Sequence, residues 1–241
     1  MRRLLMGALV ITSTMCAVPC ARGEDTAVFA AVDQYAEAIG KFQADTAIRG
    51  SLENVYRKGE AAASGLVPVL ESLSPEGYDS IVKKMRGYVL NRDEGTFVVP
   101  DFKFYYGLAK KQGTDADIAF FSFMSDFTPD NVWPAFIVQQ TDYSGCTNFG
   151  NGVLTDLYGK GINLSKKYPS AYKRDIDEAI EQIRDELTVS NCACGGMDSV
   201  IKEFELFIAT LPADDLTPVV RQRLSNVKSR KSTMRFSCIS G

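Results

Sequence analysis

The stretch SAYKRDIDEAIEQIRDELTVSNCACGG, residues 170–196, decides how the rest of the chain is read. From Ser170 to Val189 it reads as one helix. Lys173, Arg174 and Arg184 alternate with Asp175, Asp177, Glu178, Glu181, Asp185 and Glu186 at i, i+3 and i+4 spacings, the pattern of a solvated helix face laced with ion pairs. Cys192-Ala193-Cys194-Gly195-Gly196 then makes a turn, and Met197 to Leu211 is a second helix. Helix, short turn and helix form an antiparallel pair, and the rest of the chain reads as further helix pairs without an internal sequence repeat.

Working outward, Val28, Val32, Tyr35, Ala36, Ile39 and Phe42 recur at helical spacing between Thr26 and Ala47. Ser51 caps a segment from Leu52 to about Leu73, weakened by Gly59, Gly65 and Pro68. Ser74-Pro75-Glu76 starts a third helix, with Tyr78, Ile81, Val82, Met85 and Val89 on one side. Asn91 to Asp101 is a loop with one extended piece near 96–99. Helix resumes at Asp101 and stops at Gly113, and Thr114 caps the next, Asp115 to Phe127. Val153–Leu164 and Thr217–Lys228 complete the set. The expected fold is all-α: a compact domain of antiparallel helix pairs over residues 24–241, with at most a minor extended segment near 96–99 and an irregular, polar loop over 139–152.

Arg2 and Arg3 followed by the apolar run Leu4 to Val18 have the order of a secretory signal peptide. Small residues at Ala21 and Gly23 suit cleavage before Glu24, so residues 1–23 are expected to be removed and the mature protein to be periplasmic or secreted, with no membrane span left. The cut removes Arg2, Arg3 and Arg22, leaving 24 basic residues against 30 acids and a net charge of −6. Such a balance disfavours general nucleic-acid binding, which needs basic patches, and suits a basic partner. It also removes Cys16 and Cys20, leaving Cys146, Cys192, Cys194 and Cys238. Four cysteines in an oxidising compartment imply two disulfides. A Cys192–Cys194 bridge would close a very small ring, so Cys146 and Cys238 are each expected to pair with one of those two.

The chain has no histidine, which excludes Ser-His-Asp and Cys-His catalysis and histidine-containing metal sites within it. Ser-x-x-Lys spacing occurs at Ser80/Lys83, Ser170/Lys173, Ser199/Lys202 and Ser225/Lys228, without the companion motifs of penicillin-recognising enzymes, and reads as helix-surface composition. Phosphate-loop, dinucleotide and EF-hand signatures are missing. No cofactor, metal site or catalytic residue is expected.

Two features remain. Aromatic residues crowd from Phe97 to Phe136, including Phe102, Tyr105, Tyr106, Phe120, Phe121, Phe123, Phe127 and Trp133, and read as a central helix packed on both sides or as a ligand pocket. The loop 139–152 carries Gln140, Asp142, Tyr143, Ser144, Thr147 and Asn148 around Cys146, and these are the candidate binding residues, because a loop held by a rigid scaffold often carries function. The expected function is that of an exported, non-catalytic protein that binds another protein or an envelope component, in the style of an inhibitor or immunity protein of the bacterial envelope. The alternatives are a carboxylate-dependent envelope hydrolase using Asp142 and a helical small-ligand binder.

Overall fold

The computed structural model describes residues 22–44, 52–93, 95–141 and 144–238. The expected leader lies outside them except for Arg22 and Gly23, as do Asp142 and Tyr143. Among the described residues there are nine α-helices: α1 (Arg22–Ala44), α2 (Leu52–Leu66), α3 (Pro75–Lys84), α4 (Phe102–Gln112), α5 (Asp115–Phe127), α6 (Val153–Lys167), α7 (Lys173–Thr188), α8 (Met197–Thr210) and α9 (Thr217–Lys228). The chain is therefore mostly helical. Sequential helices pack in pairs, α1 on α2, α4 on α5, α6 on α7 and α8 on α9, and α5–α6, α6–α8 and α7–α9 contacts join the pairs.

The start signals act through hydrogen bonds that satisfy otherwise orphaned amides. Ser74 accepts from Gly77 N and Asp101 from Phe104 N, while Thr114 and Asp117 form a reciprocal capping box. With only Gly113 and Thr114 between them, α4 and α5 can pack together only by reversing direction.

All-α is too strict a description. The segment near 96–99 is strand β2 (Phe97–Pro100), paired antiparallel with β1 (Tyr88–Asn91). Val89, expected on the third helix, lies in β1 because α3 ends at Lys84 and Gly87 turns the chain with φ +84°. A Cβ on Gly87 would sit 2.5 Å from the Phe104 ring, so the turn has no room for a side chain. The second segment also ends early, at Leu66, just before Pro68, and continues as a 3-10 turn at Leu70–Ser72. The loop 139–152 is largely a second hairpin, β3 (Ile137–Thr141) with β4 (Ser144–Thr147), irregular between Gln139 and Thr141. Its polar strands carry no apolar alternation, so periodicity did not reveal them.

The buried side chains form one contiguous cluster. At its centre, Tyr56 meets Tyr105, Phe120 and Phe121 edge-on at centroid distances of 5.4, 5.9 and 5.5 Å, and Phe120 stacks on Tyr172 at 3.8 Å. Tyr105 and Phe121 stack on each other, so the aromatic segment fills its own interior. Several buried hydroxyls are matched: Tyr35 with Tyr105 and the Arg86 carbonyl, Tyr172 with Asp117 at 2.6 Å, and Tyr88 with the Tyr56 carbonyl.

Burial disfavours the phenolate and pushes Tyr35 up to about 12, and it raises Tyr56, Tyr105 and Tyr172 as well. Because the unfolded chain ionises near pH 10, it releases these protons first as pH rises. The stability is therefore complete below pH ~10 and lost progressively above it, by up to about 1.4 kcal/mol per pH unit for each fully buried tyrosine. Urea denaturation at rising alkaline pH should follow that loss. Tyrosinate absorbance should show several of the 10 tyrosines ionising only on unfolding. If all of them titrated near pH 10 in a folded protein, this assignment of the core would fail.

Candidate functional site

The second hairpin is fixed by covalent and hydrogen bonds to two distant segments. Cys146 on β4 is bridged to Cys194, and Cys192 to Cys238. Thr147 N donates to the Cys192 carbonyl at 3.0 Å and the Thr147 carbonyl accepts from Cys194 N at 2.9 Å, while Ala193 N donates to the Arg235 carbonyl and Cys238 N to that of Ala193. The turn between α7 and α8 is thus sewn between β4 and the C-terminal tail. Gly145 is needed where β4 passes β3, since a Cβ there would lie 2.5 Å from Ile137 Cγ2 and 2.9 Å from the Val138 carbonyl oxygen.

The candidate residues divide by role. The Gln140 side-chain amide donates to the Cys238 carbonyl, and the Thr147 hydroxyl donates to the Glu186 carboxylate and lies 2.8 Å from Ser190 Oγ. Asn148 N donates to the Phe136 carbonyl. Gln140 and Thr147 hold the hairpin to the body, and Asn148 continues the pairing between its two strands. Ser144 is exposed at the tip and shares a 2.7 Å hydrogen bond with the Thr141 hydroxyl. Asp142 and Tyr143, between them, lie outside the described residues.

Between the hairpin and α7 lies a cleft of about 370 Å³. Trp133, Pro134, Phe136, Ile137 and Gly145 form one wall, and Gln182, Asp185 and Glu186 form the other. Trp133 is the only tryptophan of the chain and is half-buried. Glu186 is engaged by Thr147, but among the described residues nothing pairs with the Asp185 carboxylate. An indole and a carboxylate lining one cleft are side chains that can receive a cation.

Compared with known proteins, the chain matches no family model, no curated protein and no solved structure.

Trp133 was legible as one of a run of aromatics, and Asp185 and Glu186 as part of the solvated face of α7. Their meeting was not legible, because it depends on the hairpin that folds beside them. A second acidic group, at the start of α7, is already committed. Arg57 bonds Glu60 at 2.7 Å, Glu53 at 3.3 Å and also Asp175, and Arg174 bonds Glu60 and Asp175 at 2.7 and 3.1 Å. Burial raises the Glu60 carboxyl. The burial cost at Asp175 is outweighed by the Arg57 hydrogen bond and charge, which hold it low. Divergent carboxyls of this kind can serve as acid and base, but here both are occupied in joining α2 to α7. Among the described residues no group of three or more cysteines and carboxylates is arranged to hold a metal ion, and no helix is long and apolar enough to cross a membrane.

Proposed function

We propose that this chain is an exported, non-catalytic binding protein whose hairpin cleft receives a cationic side chain of a protein partner, in the manner of an inhibitor or immunity protein of the envelope. The observation that carries the proposal is the unpaired Asp185 carboxylate across the cleft from Trp133. A guanidinium or ammonium seated there gains about 0.5–2 kcal/mol from the indole face and about 1.5–3 kcal/mol from a charge-assisted hydrogen bond. Pro134 and Ile137 supply apolar contact along the hairpin wall. The disulfides keep the hairpin wall in place before the partner arrives, which reduces the ordering cost of association. An acidic mature chain adds long-range attraction for a basic protein. Two disulfides suit the oxidising compartment to which the expected leader would direct the protein.

A hydrolase reading requires two carboxyls flanking the scissile bond. Asp185 and Glu186 are adjacent on one helical turn, and Glu186 is held by Thr147, an arrangement that favours grip over cleavage.

Calorimetric titration of the oxidised protein with a hexa-arginine amide, and with hexa-glutamate as control, tests the proposal. Only the arginine peptide should bind, and Asp185→Asn should weaken it by about tenfold, equivalent to about 1.4 kcal/mol. Asp79→Asn, at an exposed site on α3, should leave it unchanged. Equal losses in the two variants would reduce the effect to net charge and defeat the proposal.

A further inference from the structure

We propose that the groove between the end of α7 and the first turns of α9 is a second site, distinct from the hairpin cleft, which binds an aliphatic carboxylate through Arg223.

The local charge is opposite to that of the chain. From Thr217 to Gly241 the sequence carries Arg221, Arg223, Lys228, Arg230, Lys231 and Arg235 and no acidic residue. Most of these cations are exposed, whereas Arg223 is half-buried: its guanidinium lies 5.5 Å from the centroid of the Phe204 ring, and Nη1 donates to the Glu186 carbonyl at 3.0 Å. A guanidinium has five N–H donors in a planar fork, so this one contact leaves most of the fork unused. Arg57, Arg174 and Arg184 all have carboxylate partners, whereas among the described residues no carboxylate forms an ion pair with Arg223. Burial disfavours the Arg223 charge and brings the group down to about 10, with the more distant Glu186 charge offsetting only part of that cost. An anion placed against the free side of the fork would supply the missing counter-charge.

The groove that reaches Arg223 is about 470 Å³ and is bounded by Thr188, Pro218, Val219, Gln222 and Asn226. That volume lies within the usual range of small-ligand sites, roughly 300–1,000 Å³. Val219, which lines the groove, is 49% exposed. A cation together with the aliphatic Pro218 and Val219 side chains along one groove matches a ligand with a carboxylate head and an apolar body. Planar two-point pairing favours a carboxylate over a chloride-like ion. Two sources share that chemistry: a fatty acid, and the free C-terminus of a peptide ending in an aliphatic residue.

Amide chemical shifts of the folded, oxidised protein are the test, recorded with octanoate, with N-acetyl-alanyl-leucine and with the C-terminal amide of that dipeptide. The acids should produce saturable shifts at Val219, Gln222 and Asn226, with the amide at least about tenfold weaker. Shifts with octanoate alone would identify a lipid-like ligand, shifts with the dipeptide acid alone a peptide terminus, and either supports the site. Arg223→Lys, which keeps the charge but loses the fork, should weaken binding while the spectrum stays folded. Acid and amide binding equally, or no shifts at these residues with millimolar acid, would overturn the proposal. Neither outcome bears on the arginine-peptide titration, so the two sites stand or fall separately.

Discussion

Replacing Glu203 with alanine is expected to cost about 3–5 kcal/mol, a large share of the 5–15 kcal/mol that holds a typical domain together. Glu203, on α8, is fully buried, and its carboxyl oxygens accept from Gly150 N and Gly152 N, both at 2.9 Å, from Thr155 N at 3.2 Å and from the Thr155 hydroxyl at 2.9 Å. These donors sit at the N-terminus of α6, where Gly152, the residue before the helix, is in the left-handed region at φ +79° and has no side chain to cap with. Glu203 therefore acts as a cap supplied from another helix, and the positive end of α6 favours its acidic group. Removing it strands several buried donors at once. Glu203→Gln retains one acceptor oxygen but turns an NH2 group toward other donors, so a smaller loss of about 1–3 kcal/mol is expected. Urea denaturation measures both, and a change below about 0.5 kcal/mol for the alanine variant would contradict this role.

The disulfides should have an effect of similar size. Cys146–Cys194 and Cys192–Cys238 close loops with sequence separations of 48 and 46 residues. The restriction they place on the unfolded chain is worth about 4 kcal/mol each in the loop-entropy account, and measured values are typically about 2–4 kcal/mol. Replacing both cysteines of either bridge with serine should lower stability by that amount. The two losses should not add, because the bridges share the 192–194 turn. Hydrogen exchange should also quicken at β3 and β4 in Cys146→Ser/Cys194→Ser and along 235–238 in Cys192→Ser/Cys238→Ser. Alkylation of the native oxidised protein should find these four cysteines unreactive.

These two expectations mark where sequence reading ends. Helix starts at Ser74, Asp101 and Thr114 were legible because a cap acts on amides within three residues of itself. The sharing of Cys192 and Cys194 between Cys146 and Cys238 was legible by ring size, although which cysteine takes which was not. Glu203 in Lys-Glu-Phe-Glu looked like one acid among many, since its donors lie about fifty residues earlier in the chain. Residues 139–152 read as an irregular loop because Gln139, Gln140 and Thr141 are polar, and the pairing of the hairpin 137–147 rests on Gly145, on the Cys146 bridge and on backbone bonds to residues 192–194. Without that hairpin, Asp185 is a surface acid; beside it, Asp185 lines a cleft with Trp133.

The most direct test of that juxtaposition uses the chain's only tryptophan as the reporter. Emission from Trp133 would be followed while the oxidised protein is titrated with an arginine peptide at low salt. A saturable change that weakens about tenfold in Asp185→Asn and persists in Asp79→Asn is predicted. Binding detected by calorimetry with no change in Trp133 emission, or identical curves for the wild-type and Asp185→Asn proteins, would contradict a cationic group seated in the cleft.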